Sequence, residues 1–320
     1  MTTVHYCAEC GKEEGETTTG LKTCKSCMDV KYCNAECQRN HWPNHKKICK
    51  QRAAELRDEA LFKDPPPKEE CPICFLPMLN ELICCISLPP ATISSVPIND
   101  FAIANEGLVG KVMEEYYPCC GKSVCKGCMH SFYTSGNLGK CPFCKAVRMG
   151  KTDDEKVEEL MKRVEANDAG AIFMLGTYYY DNGLRSLQQD QERAKELWAQ
   201  AVKLGSSKAD FALGNEYHGL GDLKKAKFHW EAAAMAGHEG ARFNIGLMEF
   251  LSGNSERAVK HWIIAASAGD HKAMQNLVVV FNQGSVSRDQ INSTLTAYNT
   301  FCAEMRSEAR EAHIKMCIEN

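Results

Sequence analysis

Sixteen potential metal ligands stand in eight close pairs within the first 144 residues, and this pattern constrains the fold more than any other feature. Two ligands a few residues apart can reach one tetrahedral zinc ion, so two such pairs make one complete site. The chain has 19 cysteines in 320 residues, and they almost stop after Cys144. Because MTTVHYCAEC has no apolar signal-peptide core, we expect zinc in a reducing, intracellular setting, cytoplasmic or nuclear, rather than a secreted disulfide scaffold.

Residues 1–50 hold the first four pairs, spaced Cys-x2-Cys, Cys-x2-Cys, Cys-x3-Cys and His-x3-Cys. This segment resembles a MYND finger, and Tyr32, Gln38 and Trp42, which stand between or next to the ligand positions, add to the resemblance. The resemblance implies two interleaved zinc sites. The first site would use Cys7, Cys10, Cys33 and Cys37, and the second would use Cys24, Cys27, His45 and Cys49.

His41 competes with His45 as a ligand in this segment. His45 and Cys49 are spaced i, i+4, which puts both on one helical face, so we expect His45 to be the ligand and His41 to be a surface residue. MYND fingers bind proline-containing peptides, and the resemblance implies contact at Gln38 and Trp42. Trp42 is equally consistent with a core residue of a very small domain, and the two roles are compatible.

Residues 71–150 hold the other four pairs, two of which are CPIC and CPFC. They resemble an all-cysteine variant of the RING finger, in which Cys120 takes the place usually held by histidine. The cross-brace of that family implies two more zinc sites. One would use Cys71, Cys74, Cys125 and Cys128, and the other would use Cys119, Cys120, Cys141 and Cys144. The sequence therefore predicts about four zinc ions per chain.

A long insert, residues 75–118, interrupts this second set of pairs. It carries Cys84 and Cys85, which we expect to be buried free thiols because the eight-ligand set is already complete; ligation is the alternative. The β-branched run ATISSVPI predicts a short strand. A partner-binding role for the insert has no support in its sequence.

The linker, residues 51–70, separates the two zinc modules. Its sequence predicts a short charged helix over 50–63, ended by three consecutive prolines at 65–67 that form a stiff spacer. We therefore expect the two modules to be structurally separate.

A 32-residue period runs through residues 151–287 and carries tryptophan at Trp198, Trp230 and Trp262. This segment resembles Sel-like repeats, relatives of the tetratricopeptide repeat. We expect stacked helix pairs, with tryptophan filling the layer between units and a left-handed glycine after each second helix. Residues 288–320 predict one longer polar helix that caps the array.

The predicted fold class is mostly α: two small zinc-stabilised modules followed by an α-helical repeat solenoid. Charged residues make up 25% and apolar residues 44% of the chain, and its formal net charge is −3. A general nucleic-acid binder needs a clustered positive surface. Lys46, Lys47 and Lys50 form only a small basic patch, so a chromatin or RNA factor is the weakest hypothesis. No apolar run is long enough to predict a membrane span.

Two functions fit this arrangement. The RING resemblance implies a ubiquitin ligase that positions a charged conjugating enzyme, with Ile73 and Pro142 touching that enzyme and Lys145 contacting ubiquitin less effectively than arginine. The repeats and the MYND-like finger would then recruit substrate. The alternative is a non-enzymatic adaptor, in which the array binds proteins or serves only as a spacer or dimer surface. No catalytic residue is predicted, because four full metal sites leave no open position for water.

Overall fold

The computed structural model describes residues 5–16, 20–78, 114–181, 184 and 186–319. Their contacts divide the chain into two compact units, residues 1–63 and 64–320. Cysteine-rich modules precede a stacked helical array, so the predicted mostly helical fold class is confirmed. In the described part of the chain, no helix has the length and apolar character needed to cross a bilayer.

The first unit is a small two-stranded sheet followed by one long helix. Strand β1 (Lys22–Thr23) pairs antiparallel with β2 (Lys31–Tyr32), and a short 3-10 turn spans Glu14–Glu16. Helix α1 spans Ala35–Leu61 and begins at Asn34, whose side chain accepts a 2.8 Å hydrogen bond from Cys37 N.

Helix α1 corrects the prediction of a separate linker helix over 50–63. The helix is continuous from the ligand-bearing turns to Leu61, with Pro43 inside it. No glycine, proline or capping residue stands between Cys49 and the charged segment that follows, so nothing ends the helix there. The division between the two units falls inside the predicted linker.

The second unit begins with the second module, defined here as residues 71–78 and 114–150. Strand β3 (Glu114–Tyr117) pairs antiparallel with β4 (Lys122–Cys125), and helix α2 follows. Helix α2 spans Lys126–Phe132 and leads into a π-helical turn at Tyr133–Asn137. Cys84, Cys85 and the predicted strand ATISSVPI lie outside the described residues.

The array consists of helices of 12 to 17 residues. Its first helix starts with a capping box: Thr152 Oγ1 accepts from Glu155 N at 3.2 Å, and the Glu155 carboxylate accepts from Thr152 N at 2.7 Å. The helices up to the end of the repeats are α3 (Asp153–Glu165), α4 (Ala169–Asp181), α5 (Gln191–Lys203), α6 (Ser207–Gly219), α7 (Leu223–Met235), α8 (Glu239–Leu251), α9 (Ser255–Ser267) and α10 (His271–Asn282).

The tryptophans of the repeat are buried inside helix pairs. Trp230 on α7 lies against Gly214 on α6: a Cβ added to that glycine would stand 2.3 Å from Trp230 Cδ1. The same contact joins Trp198 to Gly176 and Trp262 to Gly246. The prediction that tryptophan is core is therefore confirmed. The glycine contact lies within each pair, and the buried cluster around each tryptophan also includes residues of the next unit. Glycine is required there because the indole occupies the position of a side chain.

Glycines also end the second helix of each pair. Gly205, Gly237 and Gly269 follow α5, α7 and α9 with φ of 89°, 89° and 91°. This left-handed conformation costs glycine little and other residues more, and it confirms the predicted helix ends.

The C-terminal segment differs from the single capping helix predicted. It forms two helices, α11 (Arg288–Glu304) and α12 (Glu308–Glu319). Ser307 begins the second helix, since its Oγ accepts from Arg310 N at 3.3 Å. Helix α12 packs on α2 of the second module, where Gly127 lies directly against Arg310. The signal in the sequence was Ser307, a residue that commonly caps helix N-termini.

We predict that Gly214→Ala destabilises the second unit by about 1–3 kcal/mol, because the added methyl overpacks Trp230. Chemical denaturation of the zinc-loaded protein measures the change. Gly219→Ala is the matched control on the same helix: no described atom lies within 4 Å of the position that its added methyl would take, so we expect no loss of stability. Equal losses from the two substitutions would contradict the proposed contact.

Candidate metal centres

Four tetrads of sulfur and nitrogen ligands form in the two units, and in each the ligand atoms lie within 4.8 Å of one another. Their members are the four sets implied by the MYND and RING resemblances: Cys7, Cys10, Cys33 and Cys37; Cys24, Cys27, His45 and Cys49; Cys71, Cys74, Cys125 and Cys128; and Cys119, Cys120, Cys141 and Cys144. Below, the third set is called the first-knuckle tetrad because it contains the CPIC pair, Cys71 and Cys74. The fourth set is called the last-knuckle tetrad because it contains the CPFC pair, Cys141 and Cys144.

The donor atoms suit zinc. Tetrahedral zinc with sulfur at about 2.3 Å separates neighbouring sulfurs by about 3.8 Å. Sγ–Sγ distances are 3.6 Å for Cys10 and Cys33 and 3.8 Å for Cys74 and Cys125. The spacing and the sulfur-rich donor set therefore fit closed, structural zinc sites without an open position.

Four of the cysteine pairs share one backbone loop, which we call the knuckle. The first cysteine accepts at its carbonyl from the N–H four residues later and donates its own N–H to a carbonyl five or six residues later. The residue four positions on has a left-handed φ, between 55° and 72°. The first cysteines are Cys7, Cys24, Cys71 and Cys141, and the left-handed residues are Gly11, Met28, Phe75 and Lys145.

The knuckle favours a thiolate at its first cysteine. A hydrogen bond from Cys125, together with backbone N–H groups of the loop, lowers the pKa of Cys71 to about 4 despite its burial. Burial acts to raise the pKa of Cys7, but backbone N–H groups including that of Cys10 outweigh it and lower the pKa to about 6. Backbone N–H groups also lower the pKa of Cys24 to about 6 against its burial.

Other thiols of the tetrads shift the opposite way. The hydrogen bond to Cys33 and burial raise the pKa of Cys37 to about 12. For Cys125, the hydrogen bond to Cys71 and burial raise the pKa, and the Arg310 guanidinium acts against that rise because a nearby cation favours the thiolate. Without metal, neighbouring thiolates therefore repel one another, and a divalent cation would remove that repulsion.

The structure brings His45, not His41, into a tetrad. His45 is buried, and its Nε2 lies 3.3 Å from Cys27 Sγ. His41 is half-buried rather than on the surface: its ring stacks on His45 at 5.5 Å, and its Nδ1 lies 3.0 Å from Tyr32 OH. His41 thus packs beside the ligand, and its i, i+4 spacing from His45 was the signal for that contact.

Gln38 and Trp42 are both exposed on α1. Trp42 is 40% exposed, and its ring meets His45 edge-on with centroids 6.4 Å apart. Of the two roles left open by the sequence, the structure therefore gives Trp42 a surface position beside a ligand rather than a core position.

The three residues predicted to contact a conjugating enzyme or ubiquitin lie on or near two knuckles of the second module. Ile73 is 43% exposed, and Pro142 is half-buried. Lys145 Nζ donates to Pro142 O at 2.9 Å and stands 4.6 Å from the centre of the Phe132 ring. The Lys145 cation is thus engaged by its own module.

Two arginines of the array support the second module, and sequence reasoning missed both. Arg163 on α3 donates to Pro118 O at 3.0 Å and Cys119 O at 3.3 Å, beside the last-knuckle tetrad. Arg310 on α12 donates to Pro77 O at 2.9 Å, beside the first-knuckle tetrad. These contacts span up to 233 residues of sequence, so no local pattern announces them.

Further contacts run along the turns that begin alternate helices of the array. Tyr116 OH donates to Asp168 at 2.7 Å before α4, and Glu114 pairs with Lys208 on α6. Lys68, just before the second module, pairs with the buried Glu239 at the start of α8 at 3.0 Å. The second module and the array therefore pack against each other within the second unit.

Two protein families match parts of the chain. Residues 7–49 match the MYND finger. Three Sel1 repeats match residues 169–206, 207–238 and 241–270. Neither match extends into the second module. The MYND finger and Sel1 repeat resemblances inferred from the sequence are thus confirmed over these residues.

Individual relatives are similar over limited stretches. The chain is 33% identical over 63 residues to Tudor domain-containing protein 1 of Oryzias latipes, a match that covers 20% of this chain and 5% of that protein. Among solved structures, the Escherichia coli protective antigen c5321, which displays an SLR fold, has a TM-score of 0.39 and 20% identity, covering 60% of this chain and 44% of that one. A Sel1 repeat protein from Oxalobacter formigenes has a TM-score of 0.34 and 24% identity, covering 38% and 96%.

We predict that the purified chain holds about four zinc ions and that His45→Gln lowers this to about three, because the altered tetrad of the MYND finger loses a ligand. Elemental mass spectrometry measures the metal content. His41→Gln is the control, since it changes a neighbouring histidine outside the tetrad. Loss of a zinc ion from the His41 variant but not from the His45 variant would reverse the assignment.

Proposed function

We propose that this chain is a non-enzymatic zinc-finger and solenoid adaptor that holds partner proteins together. The observation that carries the proposal is the combination of a MYND finger and Sel1 repeats, both protein-interaction modules, with four tetrads that leave no open coordination position. A catalytic zinc keeps a position for water, so these tetrads serve structure rather than chemistry.

The partner site of the MYND finger lies on α1, at Gln38 and Trp42. The exposed indole of Trp42, beside the buried His45 of a tetrad, offers a flat apolar surface that a proline ring can pack against. The neighbouring Gln38 amide offers both a donor and an acceptor to a peptide backbone. The site's chemistry therefore suits an extended proline-containing peptide.

We expect Trp42→Ala to weaken binding of a proline-containing peptide about tenfold or more, because aromatic anchors contribute about 2 kcal/mol or more at such contacts. Fluorescence anisotropy with a panel of labelled proline-containing peptides measures the affinity. Ile48→Ala is the matched control: Ile48 is 59% exposed on the same helix but lies on another side of it. Equal affinities for wild type and Trp42→Ala would contradict the assignment.

A second candidate function is a RING-type ubiquitin ligase. Its support is the interleaving of the first-knuckle and last-knuckle tetrads, together with Ile73, which is exposed inside the CPIC pair. On this hypothesis the second module would dock a ubiquitin-charged conjugating enzyme through Ile73 and Pro142, while the MYND finger and the repeats would recruit substrate.

Autoubiquitination with a panel of conjugating enzymes discriminates the two functions. The adaptor proposal predicts no ubiquitin ladder with any enzyme in the panel. The ligase hypothesis predicts a ladder that Ile73→Ala abolishes and Val147→Ala leaves intact, since Val147 is another exposed aliphatic residue of the same module. A ladder that survives Ile73→Ala would overturn both the adaptor proposal and the proposed docking surface.

A further inference from the structure

Among the described residues, Arg310 is a buried cation without an acidic partner. Its side chain is 1% exposed. The guanidinium donates to the carbonyl oxygens of Leu76, Pro77 and Met305 and contacts Met305 Sδ, and its Nε has no partner among the described residues. None of these described partners is a carboxylate. Burying a charge is costly unless an opposite charge lies nearby, so the position of Arg310 calls for a source of negative charge.

The first-knuckle tetrad lies directly beside this arginine. Gly127 stands between the ligands Cys125 and Cys128, and a Cβ added to it would lie 2.8 Å from the Cα, N and Cγ atoms of Arg310. Leu76 O, which accepts from Arg310 at 3.5 Å, also accepts from Cys71 N at 2.9 Å and so closes the knuckle. Arg310 therefore touches two of the segments that carry the ligands.

Four thiolates around one divalent ion carry a net charge of about −2. We propose that Arg310 is the counter-charge for a metal ion bound by the first-knuckle tetrad, so that metal binding there and docking of helix α12 on helix α2 stabilise each other. The linkage is reciprocal: whatever docking adds to metal affinity, the metal adds to docking.

Arg163, the arginine beside the last-knuckle tetrad, differs from Arg310 because it has a carboxylate nearby. It bonds the carbonyls of Pro118 and Cys119, but Asp168 Oδ2 and Arg163 Nη1 lie 2.7 Å and 3.1 Å from the same point, the Cβ position of Gly121. A carboxylate therefore lies near this guanidinium independently of any metal. Arg163→Met is a suitable control for the loss of an arginine that bonds carbonyls beside a tetrad.

The test measures the zinc concentration that protects each cysteine from alkylation in the full-length protein, using a series of zinc–chelator buffers. Mass spectrometry after tryptic digestion resolves the sites, because cleavage at Lys122 and Lys126 separates Cys119 and Cys120 from Cys125 and Cys128. Arg310→Met should raise the zinc concentration needed to protect the first-knuckle tetrad by about 10- to 100-fold, the usual effect of losing a supporting contact to a metal site.

Two further variants test whether the positive charge of Arg310 is what supports metal binding. Arg310→Lys should stay closer to wild type than Arg310→Met, because it keeps the cation. Arg163→Met should leave the first-knuckle tetrad unchanged. An unchanged first-knuckle tetrad in Arg310→Met, an equal shift at all four tetrads, or a lysine variant as weak as the methionine variant would overturn the proposal.

A second variant separates charge from docking. Gly127→Ala keeps Arg310 but places a methyl against the α12 backbone, so it should both raise the zinc requirement of the first-knuckle tetrad and speed hydrogen exchange over residues 308–319. Removing zinc from the wild-type protein should speed exchange in α12 more than in α6. Equal protection of α12 with and without zinc would refute the linkage.

Discussion

Ligand sulfur atoms form much of the interior of both cysteine-rich modules, and this constraint governs the rest of the structure. Among the described residues of the first unit, the buried apolar cluster around the ligands contains one residue that is not a cysteine, Tyr32. The buried cluster of the second module combines four cysteines with Met78, Tyr117 and Val124. Neighbouring thiolates repel one another and therefore destabilise such a core. A bound divalent cation would remove this repulsion and make the clusters the main source of the modules' stability.

Much of this architecture could be read from local sequence patterns. Close spacing predicted the eight ligand pairs, and the MYND and RING resemblances implied how those pairs combine into four tetrads. The fixed 32-residue period predicted the helix pairs, the buried tryptophans and the glycine helix ends. These features succeed because the responsible atoms are near in sequence or repeat at a regular interval. Even so, the period did not reveal the contact that each tryptophan makes within its own pair, where a glycine accommodates the indole.

The features that sequence reasoning missed depend on distant contacts. Arg310 meets Leu76 and Pro77 across more than two hundred residues, and nothing in the neighbourhood of either segment encodes the meeting. Two helices, α11 and α12, replace the single helix predicted over 288–320, because one serine is a weak signal within otherwise helix-forming residues. Helix α1 continues past the last ligand, Cys49, because no local signal ends it there.

The helical array also contacts the second module and the segment just before it. Its first and last helices each supply an arginine to the carbonyls beside one tetrad. Asp168 just before α4, Lys208 in the first turn of α6 and Glu239 in the first turn of α8 contact neighbouring segments. One edge of the repeats is therefore committed to the protein's own chain. Partner proteins that bind the repeats have the remaining faces available.

The repeated knuckle has a consequence for surface chemistry. In every copy the left-handed residue is exposed, and the two backbone hydrogen bonds that define the loop do not involve its side chain. In the Lys145 copy, Nζ also donates to Pro142 O within the loop. The backbone of the loop therefore keeps one conformation while the exposed residue varies. Gly11 has no side chain, Met28 carries a thioether, Phe75 carries an aromatic ring and Lys145 carries an ammonium group. Copies of one loop can in this way carry different side chains without altering the arrangement of the ligand cysteines.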